Sequence, residues 1–398
     1  MTKVLSGIRV VEVAAWVFVP AAGALLTDLG ADVIKIEPPD TADPIRAWTS
    51  KSTERYGGPP VKKNLTMEVG NRGKRSVALN LAAPDGQELL YRLVETADVF
   101  LTNSLSSVRA KLRIDVADIR ARNPRILYVR GCGYGPRGPD ADKAAYDGNT
   151  FWARASAAHS LRPPGVEAPL WGTTGFGDLW GALAIAGAIM GGVFHRERTG
   201  ERPTIDVSLL DVGMWGMSPA ITATAMYGIP DMPRIDPSLL GNPIVNQYRT
   251  ADGRWINLSM MTSDKYFGRF CEVMGVPHMA KDPRFADHAS RQANAEQCTD
   301  LLRQVFSNLS AAEAVERLEK QDGPWGLNQT PLEVHNDPQA LANGYFSDVR
   351  DDEGNEYRLV GAPIQYDEQP VGDLRAAPPT ASIPTRFWPD WAWTGKRS

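Results

Sequence analysis

The sequence predicts an α/β protein, with a parallel sheet covered by helices in its first half and a smaller α+β domain after it. Three features predict this. Short β-branched runs alternate with helix-patterned stretches from Gly7 to Gly131. Most links between them are short. Near residues 220–250 the composition shifts, and a hairpin-like segment then leads into amphipathic helical stretches.

GIRVVEV (Gly7–Val13) reads as the first strand. Pro20–Leu29 reads as a helix stopped by Gly30, which stands where a C′ glycine is expected. ADVIKIE (Ala31–Glu37) is the second strand, followed by a loop rich in Pro, Thr and charge from Pro38 to about Gly73. SVALNL (Ser76–Leu81) is the third strand, and Pro84–Thr96 a helix opening on Pro-Asp. VFLTN (Val99–Asn103), a helix near Val116–Ala121 and RILYVRG (Arg125–Gly131) continue the alternation. Farther on, TADGRWINLSMM (Thr250–Met261) reads as the second arm of a hairpin turning at Asp-Gly. Helical patterns follow at Ser263–Met274, Ser290–Ser307 and Ala311–Lys320. The expected organisation is a large domain from residues 1–220 with 335–398, and a small domain from 225–330. Trp388, Trp391 and Trp393 in the tail need a surface to pack on, in this chain or in a second subunit.

A length of 398 residues allows two domains. Apolar residues at 43% and charged residues at 23% place the chain among soluble globular proteins. Lys+Arg 43 against Asp+Glu 47 gives −4, so neither nucleic acid nor a membrane surface is an expected partner. Cys132, Cys271 and Cys298 are odd in number and form no CxxC, which makes a reducing cytoplasm the expected compartment. The opening MTKVLSGIRVVEV lacks the apolar core of a signal peptide. The uncharged stretch Leu179–Phe194 is 16 residues, shorter than the ~20 of a spanning helix, and reads as a buried core helix.

Motif searches exclude several chemistries. AAWVFVP stands after the first strand in place of GxGxxG, which argues against a dinucleotide dehydrogenase. No GxxxxGK[ST] and no GxSxG occurs. His159, His195, His278, His288 and His335 show no paired spacing, so no metal site is expected. Nothing requires a resident cofactor.

The segment GTTGFGDLWGALAIAGAIMGGVFHRERTG (Gly172–Gly200) is the most informative. Asp178 sits at the start of an apolar helix. Its ordinary reading is an N-cap aspartate accepting first-turn amides. Its functional reading is a carboxylate kept ionised by the helix dipole, with Gly175 and Gly177 leaving room for a substrate, poised to attack an activated carbonyl.

Three segments carry a resemblance: LSGIRVVEVAAWVFVPAAGALLTDLGADVIKIEPP, GKRSVALNLAAPDGQELLYRLVETADVFLTN, and GD…HRERTGERPTIDVSLLD. Together they resemble the family III CoA-transferases, the superfamily of formyl-CoA transferase, the carnitine and bile-acid CoA-transferases and α-methylacyl-CoA racemase. The resemblance implies a Rossmann-like large domain and an interlocked homodimer. Its catalytic aspartate stands seventeen residues before the His of the HRE-[KR]-TG motif, and counting back from His195 lands on Asp178. The implied activity is transfer of CoA from an acyl-CoA donor to a carboxylic acid acceptor, through an aspartyl anhydride and an aspartyl-CoA thioester. CoA is then substrate and product, with no bound cofactor. Positions matching the family's CoA contacts are Val17, Phe18, Leu79, Asn80, Asn103, Lys111, Ala145, Tyr146 and Asp147. Lys74 and Arg75 are added as phosphate partners by charge alone; their ordinary reading is a solvated loop pair.

The racemases of this superfamily carry His-Asp where this chain has Tyr146-Asp147. A tyrosine with a free pKa of ~10 is a poor acid/base for an α-carbon, which favours transfer. A racemase/epimerase and a non-catalytic CoA-binding paralogue remain the alternatives. Pro38 replaces an Arg of the formyl-CoA transferases. PSLLGNPIVNQYRT holds only Gly241 where they carry a Gly-rich loop, and the Trp-rich ending replaces a GEHT-type motif. Phe176, Leu179 and Trp180 near Asp178 would tolerate a larger acyl chain.

Overall fold

A computed structural model describes residues 2–48, 64–170, 172–173, 175–233, 236–370, 372 and 374–381. The tail tryptophans and part of the 38–73 loop lie outside the described residues. The chain divides into two compact units. One comprises Met1–Arg162, Glu167–Asp231 and Pro338–Ser398; the other comprises Pro163–Val166 and Met232–Asp337.

The first unit is built on six parallel strands: β1 (Arg9–Val13), β2 (Asp32–Glu37), β3 (Arg75–Ala78), β4 (Val99–Thr102), β5 (Leu127–Cys132) and β6 (Thr204–Ser208). Their order is β3-β2-β1-β4-β5-β6. Val11 of β1 pairs with Ile34 on one side and Phe100 on the other, and all three are buried. Sheets covered on both faces need such uninterrupted apolar runs. The chain first moves outward through β2 and β3, then returns to the other side of β1. The C-terminal ends of β1 and β4 therefore diverge and leave a crevice, where open α/β sheets bind ligands.

The covering helices are α1 (Phe18–Asp28), α2 (Leu65–Asn71), α3 (Pro84–Glu95), α4 (Ser106–Lys111), α5 (Val116–Arg122), α6 (Phe176–Thr199), α7 (Leu209–Gly216) and α8 (Ser218–Tyr227). α1 starts two residues before the expected Pro20, because a proline in the first turn forfeits no intrahelical bond. α2 lies in the segment expected as loop. Asn64 caps it by accepting from the Met67 amide, and seven residues are too few to show a period. α6 packs tightly on α1: a Cβ on Gly181 would stand 2.2 Å from Phe18 Cε2.

The expectation of a fully buried core helix at Leu179–Phe194 needs correction. α6 runs 24 residues and is long and apolar enough to cross a membrane by length and composition. One face packs on α1 and the sheet, whereas Phe176, Leu179, Trp180, Leu183 and Phe194 are exposed.

The second unit holds an antiparallel sheet of β7 (Val245–Arg249), β8 (Trp255–Ser259) and β9 (Trp325–Leu327). The β7–β8 turn contains Gly253 in the left-handed region, φ +81. Against the sheet lie α9 (Ser263–Val273), α10 (His288–Ala293), α11 (Ala295–Ser307) and α12 (Ala311–Leu318). The expected single helix Ser290–Ser307 is two, broken at Asn294, whose side chain donates to the Ser290 and Arg284 carbonyls. In the first unit, the hairpin β10 (Phe346–Arg350) and β11 (Glu356–Val360) precedes a segment that returns to α1 and α2. There Ala362 N donates to Asp28 and Ala377 N to Glu68.

A charged cluster lies inside the first unit. Lys74 Nζ donates to Glu12 Oε2 at 2.7 Å, to the Pro20 carbonyl and to Asn71. Lys35 Nζ donates to the Ala14 carbonyl at 2.7 Å and pairs with Asp43 at 2.8 Å and Glu12 at 3.3 Å. Gly23 makes room, since a Cβ there would stand 2.1 Å from Glu12 Oε2. Burial lowers Lys74 to about 7, opposed by Glu12 and reinforced by Lys35. Lys74 is thus spent on the interior and does not reach a phosphate. Arg75 pairs with Asp32 at the N-terminal edge of the sheet, the end opposite the crevice. Both departures share one cause: a charge read in isolation says nothing about its partner. Replacing Lys74 with Met should cost about 3 kcal/mol in urea unfolding, because the buried Glu12 loses its nearer cation and keeps only the longer contact with Lys35.

Candidate active site

The crevice is organised by the turn after β1. Ala15 N donates to Asn103 Oδ1 (3.1 Å) and Asn103 Nδ2 donates back to the Ala15 carbonyl (2.7 Å). This tie bridges the diverging ends of β1 and β4. Trp16 N donates to Asp43 Oδ1 at 3.1 Å, and Trp16 has φ 70. A bulky residue in the left-handed region is strained and persists only where neighbours enforce it. The Trp16 indole meets Tyr146 edge-on at 5.6 Å and Trp48 at 6.1 Å.

Asp178 is the third residue of α6, not its cap. The cap is Gly175, φ 74, which makes no side-chain cap bond. A second carboxylate lies close to the start of α6. Asp147 is 8% exposed, and its buried Oδ1 makes no hydrogen bond. A Cβ on Gly177 would stand 2.3 Å from Asp147 Oδ1, so this approach requires glycine. Asp147 and Asp178 thus stand as neighbouring carboxyls at the start of α6. Burial raises Asp147 above its ordinary value. Burial, with Asp147 second, raises Asp178 to about 7. This overturns the expectation that the dipole keeps Asp178 ionised: desolvation and a neighbouring carboxylate outweigh the helix end.

Asp178, Trp16 and Tyr146 line two cavities. The smaller, about 150 Å³, is bounded by Phe18, Asn103, Ala145 and the backbone of Gly131 and Gly133, and carries three cations. Arg109 is held by the Ser104 carbonyl and Asp115, Arg130 pairs with Asp206, and Lys143 stands exposed. The larger, about 740 Å³, is bounded by Val17, Ile45, Trp48, Asp147, Trp152 and Leu170 among others. A Cβ on Gly172 would stand 1.9 Å from the Trp152 ring, so glycine lets the chain cross the indole. Among the described residues no group of three or more His, Cys, Asp or Glu could hold a metal ion.

The structure thus brings Val17, Phe18, Asn103, Ala145, Tyr146, Asp147 and Asp178 to the two cavities. It does not bring Leu79, Asn80 or Lys111 there. Leu79 is core, Asn80 shapes the turn before α3 by accepting from Ala82 N, and Lys111 is exposed at the end of α4. Two residues earlier, on the other face of that helix, Arg109 lines the cavity instead. Phe176, Leu179 and Trp180 line neither cavity. Reading the sequence passed over Trp16, Trp48, Trp152, Arg130 and Lys143. Tryptophans in a loop carry no periodic signal, although Trp16 and Trp48 flank strands ending at the crevice.

The family model for CoA-transferase family III matches residues 5–382. The chain belongs to CoA-transferase family III. It is 30% identical over 378 residues to (R)-2-hydroxy-4-methylpentanoate CoA-transferase of Clostridioides difficile, covering 94% of this chain and 92% of that protein. It is 32% identical over 383 residues to succinate–glutarate CoA-transferase of Agrobacterium fabrum, covering 94% and 92%. Among solved structures, a CaiB/BaiF-family protein from Brucella suis matches with TM-score 0.79 and 28% identity, covering 96% of this chain and 97% of that one. This family III CoA-transferase therefore shares its fold over nearly the whole chain with that protein.

A carboxyl is nucleophilic only when ionised, so a nucleophilic role for Asp178 predicts a pH dependence. kcat/KM should rise with pH through about 7 and level off above it. Asp147→Asn removes a like charge beside Asp178, so the acid limb of the kcat/KM profile should move to lower pH. An unmoved limb would uncouple the two carboxylates.

Proposed function

We propose that the protein moves CoA from an acyl-CoA to a free carboxylic acid by covalent catalysis at Asp178. The supporting observation is the position of Asp178, at the junction of a cation-bearing cavity and an apolar one. CoA approaches through the cation-bearing side, where Asn103, Ala145 and Tyr146 flank its path and Lys143 and Arg109 offer positive charge to phosphate. The acyl group enters the other side.

A carboxylate oxygen of Asp178 attacks the thioester carbonyl, and the C–S bond breaks to release CoA thiolate. The product is a mixed anhydride of Asp178 and the donor acid. The thiolate then attacks the aspartyl carbonyl, expelling the donor carboxylate and leaving an aspartyl-CoA thioester. The acceptor carboxylate attacks that thioester and the two steps run in reverse. No proton is gained or lost, and no ATP is needed. Exclusion of water protects both intermediates. A carboxylate raised to about 7 is more basic than a free aspartate, and as a poorly solvated anion it is a better nucleophile.

A near-neutral Asp178 also suits removal of an α-proton, which is the racemase reading. Racemisation needs a second acid/base on the opposite face of the carbon, and Tyr146 stands where the superfamily's racemases carry histidine. Transfer needs no such partner. Phe194, Trp215, Met226 and Tyr227 are each at least 65% exposed, an apolar surface that supports a second copy of the chain covering it in a homodimer. Three free cysteines suit the reducing cytoplasm assigned to it.

Incubation with acyl-CoA followed by hydroxylamine or borohydride should modify the peptide holding Asp178. Asp178→Asn should lose that modification and lower transfer roughly 10³-fold or more. Full transfer activity in that variant would sink the mechanism. Solvent deuterium entering a 2-methylacyl-CoA in the absence of acceptor would favour the racemase instead.

A further inference from the structure

The larger cavity has a chemistry of its own. Ile45, Trp48, Trp152, Ala158 and Leu170 supply apolar walls, and no Lys, Arg or His lines it among the described residues. Among the described residues its charged side chains are Asp147 and Asp178, both carboxyls. Its volume, about 740 Å³, falls in the range that encloses drug-sized ligands and far exceeds the needs of a one- or two-carbon acid.

We propose that this cavity receives the hydrocarbon body of an aryl- or branched-alkyl monocarboxylic acid, and that the enzyme discriminates against dicarboxylates. The inference deepens the CoA-transfer reading and rests on it. The reacting carboxyl or thioester carbonyl lies at Asp178, so the remainder of the acid extends along Trp152, Leu170 and Ile45. A terminal carboxylate carried to that depth would lose its water and meet no cation among the described residues, and the two aspartates would repel it. An apolar body loses nothing by leaving water and gains contact with the indoles. A small acid such as acetate would leave most of the walls uncovered.

Identity exchange tests the inference with one acid at a time. The full-length protein is incubated with 3-phenylpropanoyl-CoA and labelled 3-phenylpropanoate, and in parallel with the 4-methylpentanoyl, acetyl and succinyl pairs. Exchange should run at least about 10-fold faster in kcat/KM for the first two pairs, the scale on which apolar pockets discriminate. Faster exchange of the succinyl pair would overturn the assignment and leave CoA transfer intact. If no pair exchanges, the transfer reading fails, and quenching of tryptophan fluorescence still reports affinity; tighter binding of succinyl-CoA than of 3-phenylpropanoyl-CoA would then overturn the assignment too. Leu170→Arg places a cation in the wall and should shift the succinyl to 3-phenylpropanoyl exchange ratio about 10-fold toward succinyl. An unchanged ratio would show that the body of the acid does not reach this wall.

Discussion

Lys35 ties the core of the large unit to its site. Its ammonium is fully buried and pairs with Asp43 and Glu12 while donating to the Ala14 carbonyl. Burial opposes its charge, but Glu12 and Asp43 prevail and hold its pKa above the usual lysine value. A buried cation of this kind fixes its anions in place, because any movement would leave a charge unpaired. Asp43, fixed in this way, accepts from Trp16 N and holds that residue in its left-handed conformation. The strain at Trp16 is thereby supported from the interior, and the indole is set between Trp48 and Tyr146 at the mouth of the crevice.

The reactive centre follows the same logic from the opposite side of the crevice. Asp147 is drawn close to the start of α6 by the absence of a side chain at Gly177. Asp178 is then left in a poorly solvated place beside a second carboxyl, and its affinity for a proton rises. A solvated aspartate is a weak nucleophile toward a thioester. At Asp178 desolvation outweighs the helix dipole and raises the proton affinity of the carboxyl.

Much of the fold was legible because its signals are local. The strands of the parallel sheet are short β-branched runs. The β7–β8 turn follows from Asp-Gly, and α1 ends at Gly30, φ +101. What failed was either short, as with α2, or governed by a distant partner. Asn294 breaks one expected helix through bonds to the Ser290 and Arg284 carbonyls. Lys74, read as a phosphate ligand, answers to Glu12, 62 residues away in sequence. Asp178 was found through its spacing to His195, whereas its ionisation depends on Asp147, which only folding brings beside it.

The sequence by itself determined the parallel α/β class and the family, and it singled out Asp178 as the candidate carboxylate, since each rests on residue types at fixed separations along the chain. Only the tertiary structure decided which cations face the crevice, that Asp147 stands beside Asp178 and how the space around Asp178 divides into a charged and an apolar chamber. Those are properties of distance and solvent exclusion between segments far apart in sequence, and no local pattern encodes them.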